Sequence, residues 1–322
     1  MPSVTRSELA ALVGVACRAP SVHNTQPWLW RVAVDGTDGP GTVELYADPS
    51  RRLAAADPTG RELLLSCGAA LHHLRVGAAA HGLTAEVDRL PDVRRPELLA
   101  RVSLSPGEVP PTAAADLAAI ATRVTDRRRF TSWPVPASRL EHLAATGARE
   151  GAAVVPLVDL ARRHRADLLL SRARERQAAD SRLREEQRLW VDHGVRDGVP
   201  SGLVPAGAGS RFEAGPVPDR TEHDVEHSDG VLLLATVDDG PLERLRTGEA
   251  LSALWLRATT ERLSVVPLSQ VVEVEETRNA LRHEVLDGTL HPQLLVRIGW
   301  QEIARSTLPR TPRRDLDDVL LG

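Results

Sequence analysis

Two short stretches carry most of the side chains whose type and spacing could do chemistry. Residues 17–30 read C-R-A-P-S-V-H-N-T-Q-P-W-L-W. Pro20 and Ser21 end a helical run. Ser21, His23, Asn24, Thr25 and Gln26 then crowd polar groups onto a short loop before Pro27 and Trp28 enter a strand. Ser and Asn side chains hydrogen-bond nearby backbone and hold such a loop in shape. The plainer alternative is a helix-ending turn ahead of a buried tryptophan. Residues 123–130 read R-V-T-D-R-R-R-F. Arginine forks bind phosphate oxygens in pairs and a hydroxyl adds a further donor, although an arginine cluster taken alone is more simply a solvated basic turn. A third basic stretch, P-R-T-P-R-R-D-L-D-D-V-L, fills 309–320, where a frayed basic terminus is the alternative. All forty basic residues are arginine. Schiff-base chemistry and a Walker-type phosphate lysine are therefore excluded, and any anion must be held by arginine, backbone amides or helix N-termini.

Other candidates are weaker. His72 and His73 lie within a helical pattern and read as structural or surface residues. His223, Asp224 and His227 have near-ligand spacing but no further acidic or cysteine ligands beside them, so no metal is assigned. No side chain is assigned as a catalytic acid or base.

The elements that must position these residues follow from the rest of the chain. It has 322 residues, enough for two units of about 150 residues or one large one. Hydrophobic residues make up 42%, so a sizeable core is expected. A formal net charge of -4 argues against a nucleic-acid binder. The opening residues lack the order of a signal peptide, and no apolar run is read as approaching the roughly 20 residues of a membrane span. The two cysteines, Cys17 and Cys67, form no C-x-x-C pair. A cytoplasmic globular protein without membrane or nucleic-acid partners is expected.

Apolar spacing predicts helices over 7–17, 61–80, 113–122, 138–149, 159–190 and 247–263. It predicts strands over 28–34, 42–47, 83–87, 99–104, 153–158, 231–237 and 294–299, and a short tail element over 316–320. The arginine-rich run 162–188 reads as a solvated helix face. The Gly- and Pro-rich stretch 194–218 reads as a long loop, of the kind that serves as a lid or binding segment. Strands and helices interleave without a regular parallel rhythm, which favours an α+β arrangement over a dinucleotide-binding fold. A faint repeat places 68–83 over 248–263, matching Gly68, Ala70, Leu71, Leu74, Ala78 and Leu83 to Gly248, Ala250, Leu251, Leu254, Ala258 and Leu263.

The run Pro20, Ser21, Asn24, Gln26, Pro27 and Trp28 resembles the signature of nitroreductase-type flavoproteins. In that family the loop lies over the flavin ring. The resemblance implies FMN as cofactor, with Pro20, Ser21, Val22, Asn24 and Gln26 in contact with it. Arg123, Thr125 and Arg127 match the family's phosphate grip, with Val124 in place of a second arginine and Arg128 as its candidate replacement. Pro267, Leu268, Ser269 and Gln270 match the segment lining the flavin edge, whose backbone amide faces the hydride-accepting nitrogen. Arg313, then Arg314, match the basic tail that reaches the flavin phosphate. The family usually ends the helix before that edge with glycine. Here Arg262 stands where the first half has Gly82, which leaves a different helix end open.

The order of these pieces implies more. An ordinary family subunit of about 200 residues, a usual domain size, carries both grip and Pro-Ser loop, and two subunits pair around each flavin. Here 1–112 has the loop without the grip, and 113–322 has the grip without a second loop. The resemblance is to the Acg-like branch: a nitroreductase-like fold whose two tandem halves form an intramolecular pseudo-dimer around one flavin site. An insertion over 191–225, with Trp190 and Phe212, would serve as its lid. The implied activity is an FMN-dependent oxidoreductase reduced by NAD(P)H or another donor and reoxidised by a small aromatic acceptor, a nitro compound or a quinone. The alternative is an FMN-sequestering protein whose lid blocks nicotinamide. A monomer or a homodimer is compatible with an internal interface.

Overall fold

A computed structural model of the chain describes residues 4–34, 41–128, 130–204, 229–300, 308 and 310–322. Helix α1 (Arg6–Ala16) starts at a capping box, with Glu8 N donating to Thr5 Oγ1 at 3.2 Å and Thr5 N to Glu8 Oε2 at 2.7 Å. Strands β1 (Trp28–Val34) and β2 (Gly41–Ala47) pair antiparallel. Helix α2 (Arg61–Ala80) follows, then β3 (Leu83–Arg89) and β4 (Leu98–Pro106). Helices α3 (Ala113–Thr122) and α4 (Ala137–Ala148) lead to β5 (Ala153–Pro156). Next come α5 (Leu160–Ala179), α6 (Ser181–Leu189) and β6 (Gly230–Thr236). Then follow α7 (Pro241–Thr260), β7 (Leu263–Leu268), α8 (Gln270–Glu273), α9 (Glu275–Glu284), β8 (His291–Trp300) and α10 (Leu316–Val319).

The strands form two sheets of four, ordered β1-β2-β4-β3 and β5-β6-β8-β7, with every neighbouring pair antiparallel. The order is the same in both. Each sheet carries a register shift in its second strand, at Leu45/Tyr46 and at Leu234/Ala235. In each, a long apolar helix leads directly into the following outer strand. The chain is thus α+β, built of two tandem copies of one unit, as expected.

Helices α2 and α7 join the copies. An added Cβ on Gly68 would lie 1.9 Å from Leu245 O, and one on Gly248 would lie 2.0 Å from Leu65 O. His72 Nδ1 meets Ser252 Oγ at 2.9 Å. The offset of the sequence repeat exchanges the Gly68 and Gly248 contacts and sets His72 opposite Ser252, its own counterpart, so each helix presents the same patch to the other, as a two-fold interface requires. Burial pulls the His72 pKa down to about 4, so its ring is neutral near pH 7. Helix α2 corrects one expectation: it is long and apolar enough to cross a membrane by length and composition. It is largely buried in the fold instead.

Other departures have local causes. The helix expected over 159–190 breaks at Asp180, whose carboxylate caps α6 by accepting from Arg182 N at 2.9 Å. Strand β5, expected over 153–158, ends at Pro156 and is a half-buried outer strand. Helix α7 begins at Pro241, earlier than expected, because proline suits a first helical turn. Helix α9 was not anticipated. It pairs the arginines of α5 through Arg176–Glu276 at 3.1 Å and the pairs Arg165–Glu284 and Arg172–Glu276, and Asp287 just beyond it takes Arg162 at 2.8 Å. The arginine face is therefore a row of ion pairs across two helices, each partly exposed and worth little singly. Arg262 adopts the left-handed conformation itself, with φ 62° against 70° at Gly82, so both central helices end alike.

Candidate functional site

The loop after α1 is held in a strained shape. His23, Asn24 and Gln26 have φ of 46°, 55° and 50°, a region costly for residues with a Cβ. Local bonds fix part of it: Gln26 N donates to Ser21 Oγ at 3.0 Å, and Val22 N to Ser66 Oγ of α2 at 3.1 Å. Distant bonds fix the rest. Asn24 Nδ2 donates to Gly198 O at 3.0 Å and Pro312 O at 3.1 Å, while Asn24 Oδ1 accepts from Arg313 Nη1 at 3.0 Å. Gln26 Nε2 donates to Arg196 O at 2.8 Å, and Gln26 Oε1 accepts from Arg314 N at 2.8 Å. Below the loop, Cys17 is buried beside the indoles of Trp28 and Trp30. Burial pushes its thiol up to about 12, so it is no nucleophile near neutral pH.

Two contiguous chambers open behind this loop. The first spans about 1060 Å³, including space open to solvent. Pro20, Ser21 and Val22 line it, as do Pro267, Leu268, Ser269 and Gln270 where β7 runs into α8. Helix α2 contributes Glu62, Leu65, Ser66 and Ala69, and α7 contributes Leu251 and Trp255. Arg127, Arg174 and Arg297 complete its charged wall. The second chamber, about 880 Å³ by the same measure, shares Pro20, Ser21, Thr125 and Arg127 with the first. Among the described residues, five arginines line it, Arg18, Arg123, Arg127, Arg310 and Arg313, together with Asn24, Thr125 and Thr311, and no carboxylate does.

The cations are tightly placed. Arg123 Nη2 donates to Arg18 O at 2.7 Å, and its guanidinium lies 4.9 Å over the Trp255 ring. Arg313 Nη1 donates to Thr311 Oγ1 at 2.7 Å, and Arg313 Nη2 to the carbonyls of Arg18 and Ala19 at 3.2 Å each. Burial, then Arg313, pulls the Arg123 pKa down to about 9, and burial pulls Arg313 down to about 10. Both remain charged at pH 7 while repelling one another, a combination that an entering anion relieves. A flat apolar group in the first chamber with an anionic tail in the second matches this division of wall chemistry.

Most expected site residues meet here: Pro20, Ser21, Val22, Asn24, Arg123, Thr125, Arg127, Pro267, Leu268, Ser269 and Arg313 line one or both chambers. Gln26, Arg128 and Arg314 do not. Gln26 and Arg314 brace the loop, and Arg314 Nη2 donates to Asp318 O at 2.6 Å. Arg128 is held two-pronged by buried Asp126, at 2.8 and 2.7 Å, and lines neither chamber. Sequence reading did not single out Arg18 and Arg310, although both lie inside the stretches 17–30 and 309–320. It also missed Arg297, whose Nη2 donates to Arg128 O at 3.1 Å and whose guanidinium packs 4.3 Å over Phe130. Nothing local to β8 marks that residue.

The repeat also locates a counterpart of the first chamber. Ala69, Trp255 and Ser269 correspond to Glu249, Arg75 and Arg89. Those three form a charge cluster around a buried carboxylate: Arg75 Nη1 meets Glu249 Oε2 at 2.7 Å, and Arg89 reaches both Glu249 oxygens at 2.7 and 2.8 Å. Glu150 also pairs with Arg75. Small and aromatic walls in one half are thus replaced by paired charges in the other.

Of the expected lid, 205–225 with Phe212 lies outside the described residues, as do His223, Asp224 and His227. The earlier part, 191–204, packs on the loop, and its Val199 and Leu203 line the cationic chamber rather than the apolar one. Among the described residues no group of three or more His, Cys, Asp or Glu is placed to hold a metal.

No family model matches the chain. It is 38% identical over 314 residues to a Mycobacterium tuberculosis protein named "Putative NAD(P)H nitroreductase Rv3131", covering 95% of this chain and 89% of the other. It is 34% identical over 339 residues to the protein named "Putative NAD(P)H nitroreductase acg" of the same organism, covering 98% and 96%. Among solved structures it is similar to the FMN-dependent nitroreductase NfnB from Mycobacterium smegmatis in complex with NADPH, at 15% identity and a TM-score of 0.43, over 64% of this chain and 96% of the other.

Proposed function

Because the chain belongs to the nitroreductase family, in the group that contains acg, we propose that it binds FMN and acts as an FMN-dependent oxidoreductase. The observation that carries this reading is the second chamber: five arginines and no carboxylate among the described residues that line it, opening into a mixed apolar chamber. Arg123, Arg127 and Arg313, with the Thr125 hydroxyl, would hold the phosphate through charge-assisted bonds. The loop from Pro20 to Val22, the Pro267–Leu268–Ser269 segment, and Leu251 and Trp255 would enclose the ring. Bound there, FMN would supply the redox chemistry, taking hydride from NAD(P)H or another donor and passing electrons to a small aromatic acceptor such as a nitro compound or quinone. The protein's own part is binding, aiming and limiting water, and no side chain is given the role of proton donor. We assign 1–112 and 113–322 to the two halves, with 191–225 as the lid.

Neutral truncation of Arg123 or Arg313 removes charge-assisted bonds worth about 1.5–3 kcal/mol each. Arg123→Ala and Arg313→Ala should therefore weaken FMN binding about ten- to hundredfold while riboflavin binding changes little. Equal losses for both ligands would remove the phosphate assignment. The reading as a whole is tested by the visible spectrum of the purified protein, followed anaerobically as NADPH and then dithionite are added. Absence of flavin bands even after incubation with FMN overturns it. Bleaching by NADPH supports the oxidoreductase. Bleaching by dithionite alone favours the second reading, an FMN-sequestering protein, for which the packing of 191–204 on the flavin-facing loop is the supporting observation.

A further inference from the structure

Residues 190–199 form a closed loop of their own. Val199 N donates to Trp190 O at 2.8 Å and Asp192 N to Val199 O at 3.0 Å, so the loop's ends lie side by side. Gly198 makes the closure possible. Its φ is 76°, and a Cβ there would stand 2.7 Å from Trp190 O and 2.8 Å from His193 Cβ. The rings of Trp190 and His193 stack at 4.3 Å. Besides the pairs of Arg196 with Asp315 and Asp318, the loop is fastened to the rest of the chain by Arg51, just beyond β2. Its guanidinium pairs with the Asp197 carboxylate, its Nε donates to Thr25 O, and it lies 5.7 Å over the Trp190 ring. Asn24 and Gln26 add the bonds to Gly198 O and Arg196 O described above. The Arg51 and Asp197 side chains are only 17% and 14% exposed, so this pair is shielded more than an ordinary surface ion pair.

We propose that Arg51 is a positioning residue that straps the 190–199 loop to the strained Pro-Ser loop, holds Val199 in the wall of the cationic chamber, and so retains the phosphate end of the bound flavin. The proposal rests on the FMN reading above. Arg51 is not in the chamber wall. It acts through Asp197, Thr25 and Trp190, and releasing it loosens that wall without removing any phosphate contact.

The test is the rate of FMN release from loaded full-length protein, read as recovery of free-flavin fluorescence after dilution. Arg51→Ala and Asp197→Asn should each raise the dissociation rate about tenfold or more, as expected for losing a shielded charge-assisted contact. The double variant should be no faster than the faster single one, and Arg51→Lys should restore part of the retention. Asp197→Asn is the milder change and keeps the test open if Arg51→Ala folds poorly. Thermal unfolding of the flavin-free variants gives the control. Unchanged release in both single variants, or additive effects in the double, overturns the strap while leaving the FMN reading intact. Failure of the wild-type chain to take up FMN overturns both.

Discussion

Arg262 and Asp57 show what single side chains contribute. Arg262 holds a left-handed backbone at φ 62° where α7 ends, a conformation costing about 1–2 kcal/mol in a residue with a Cβ. Glycine removes that cost but gains freedom in the unfolded chain. Arg262→Gly should thus stabilise the protein by roughly 0.5–1 kcal/mol, seen as a higher urea midpoint at unchanged slope. Asp57 is buried at the start of α2, where its Oδ2 accepts from Leu63 N at 2.8 Å. Burial raises its pKa to about 6, against the backbone N–H bonds that lower it. The folded chain then holds a proton that the unfolded chain releases near pH 4. The contribution is complete below about pH 4, is lost as pH rises through 6, and is of order 3 kcal/mol. Asp57→Asn should flatten the stability–pH curve over that window. An unchanged slope would mean that the carboxylate is ionised in the fold.

At the scale of elements, the α2–α7 crossing depends on two missing side chains. The atoms that a methyl at Gly68 or Gly248 would strike are backbone carbonyls, at 1.9 and 2.0 Å, which cannot yield without parting the helices. Gly248→Ala should cost more than about 3 kcal/mol in equilibrium unfolding. Gly14→Ala in α1, whose nearest contact is a Leu316 methyl at 3.8 Å, should be neutral or stabilising. Equal effects would separate the crossing from stability. The helices and strands with regular apolar spacing were readable in the chain, because period and burial coincide there. Helix α9 was not, since only Thr277 and Leu281 of it are buried. The break at Asp180 was hidden by helix-favouring neighbours on both sides. The Pro-Ser loop, the grip and Pro267–Ser269 were readable because their residues lie close together in sequence. Arg51 and Arg297 were not, because their meaning lies in contacts with partners far along the chain.

At the scale of the molecule, two copies of one unit face each other with unequal sites. The apolar chamber lies on one side of the internal two-fold, and its counterpart is filled by Glu249 between Arg75 and Arg89. A flat apolar ligand cannot push this cluster aside cheaply, since separating it leaves the buried Glu249 carboxylate unpaired. One FMN per chain is therefore expected at saturation, measured as flavin absorbance released on denaturation against protein mass. A ratio of two would mean that the cluster gives way. This inequality has a consequence for how the chain changes over time. In a pair of identical subunits, every substitution appears twice, once in each site, and an improvement on one side is tied to damage on the other. A tandem chain breaks that tie. Ala69 can stay small while its partner position becomes glutamate, so each half is free to follow its own history.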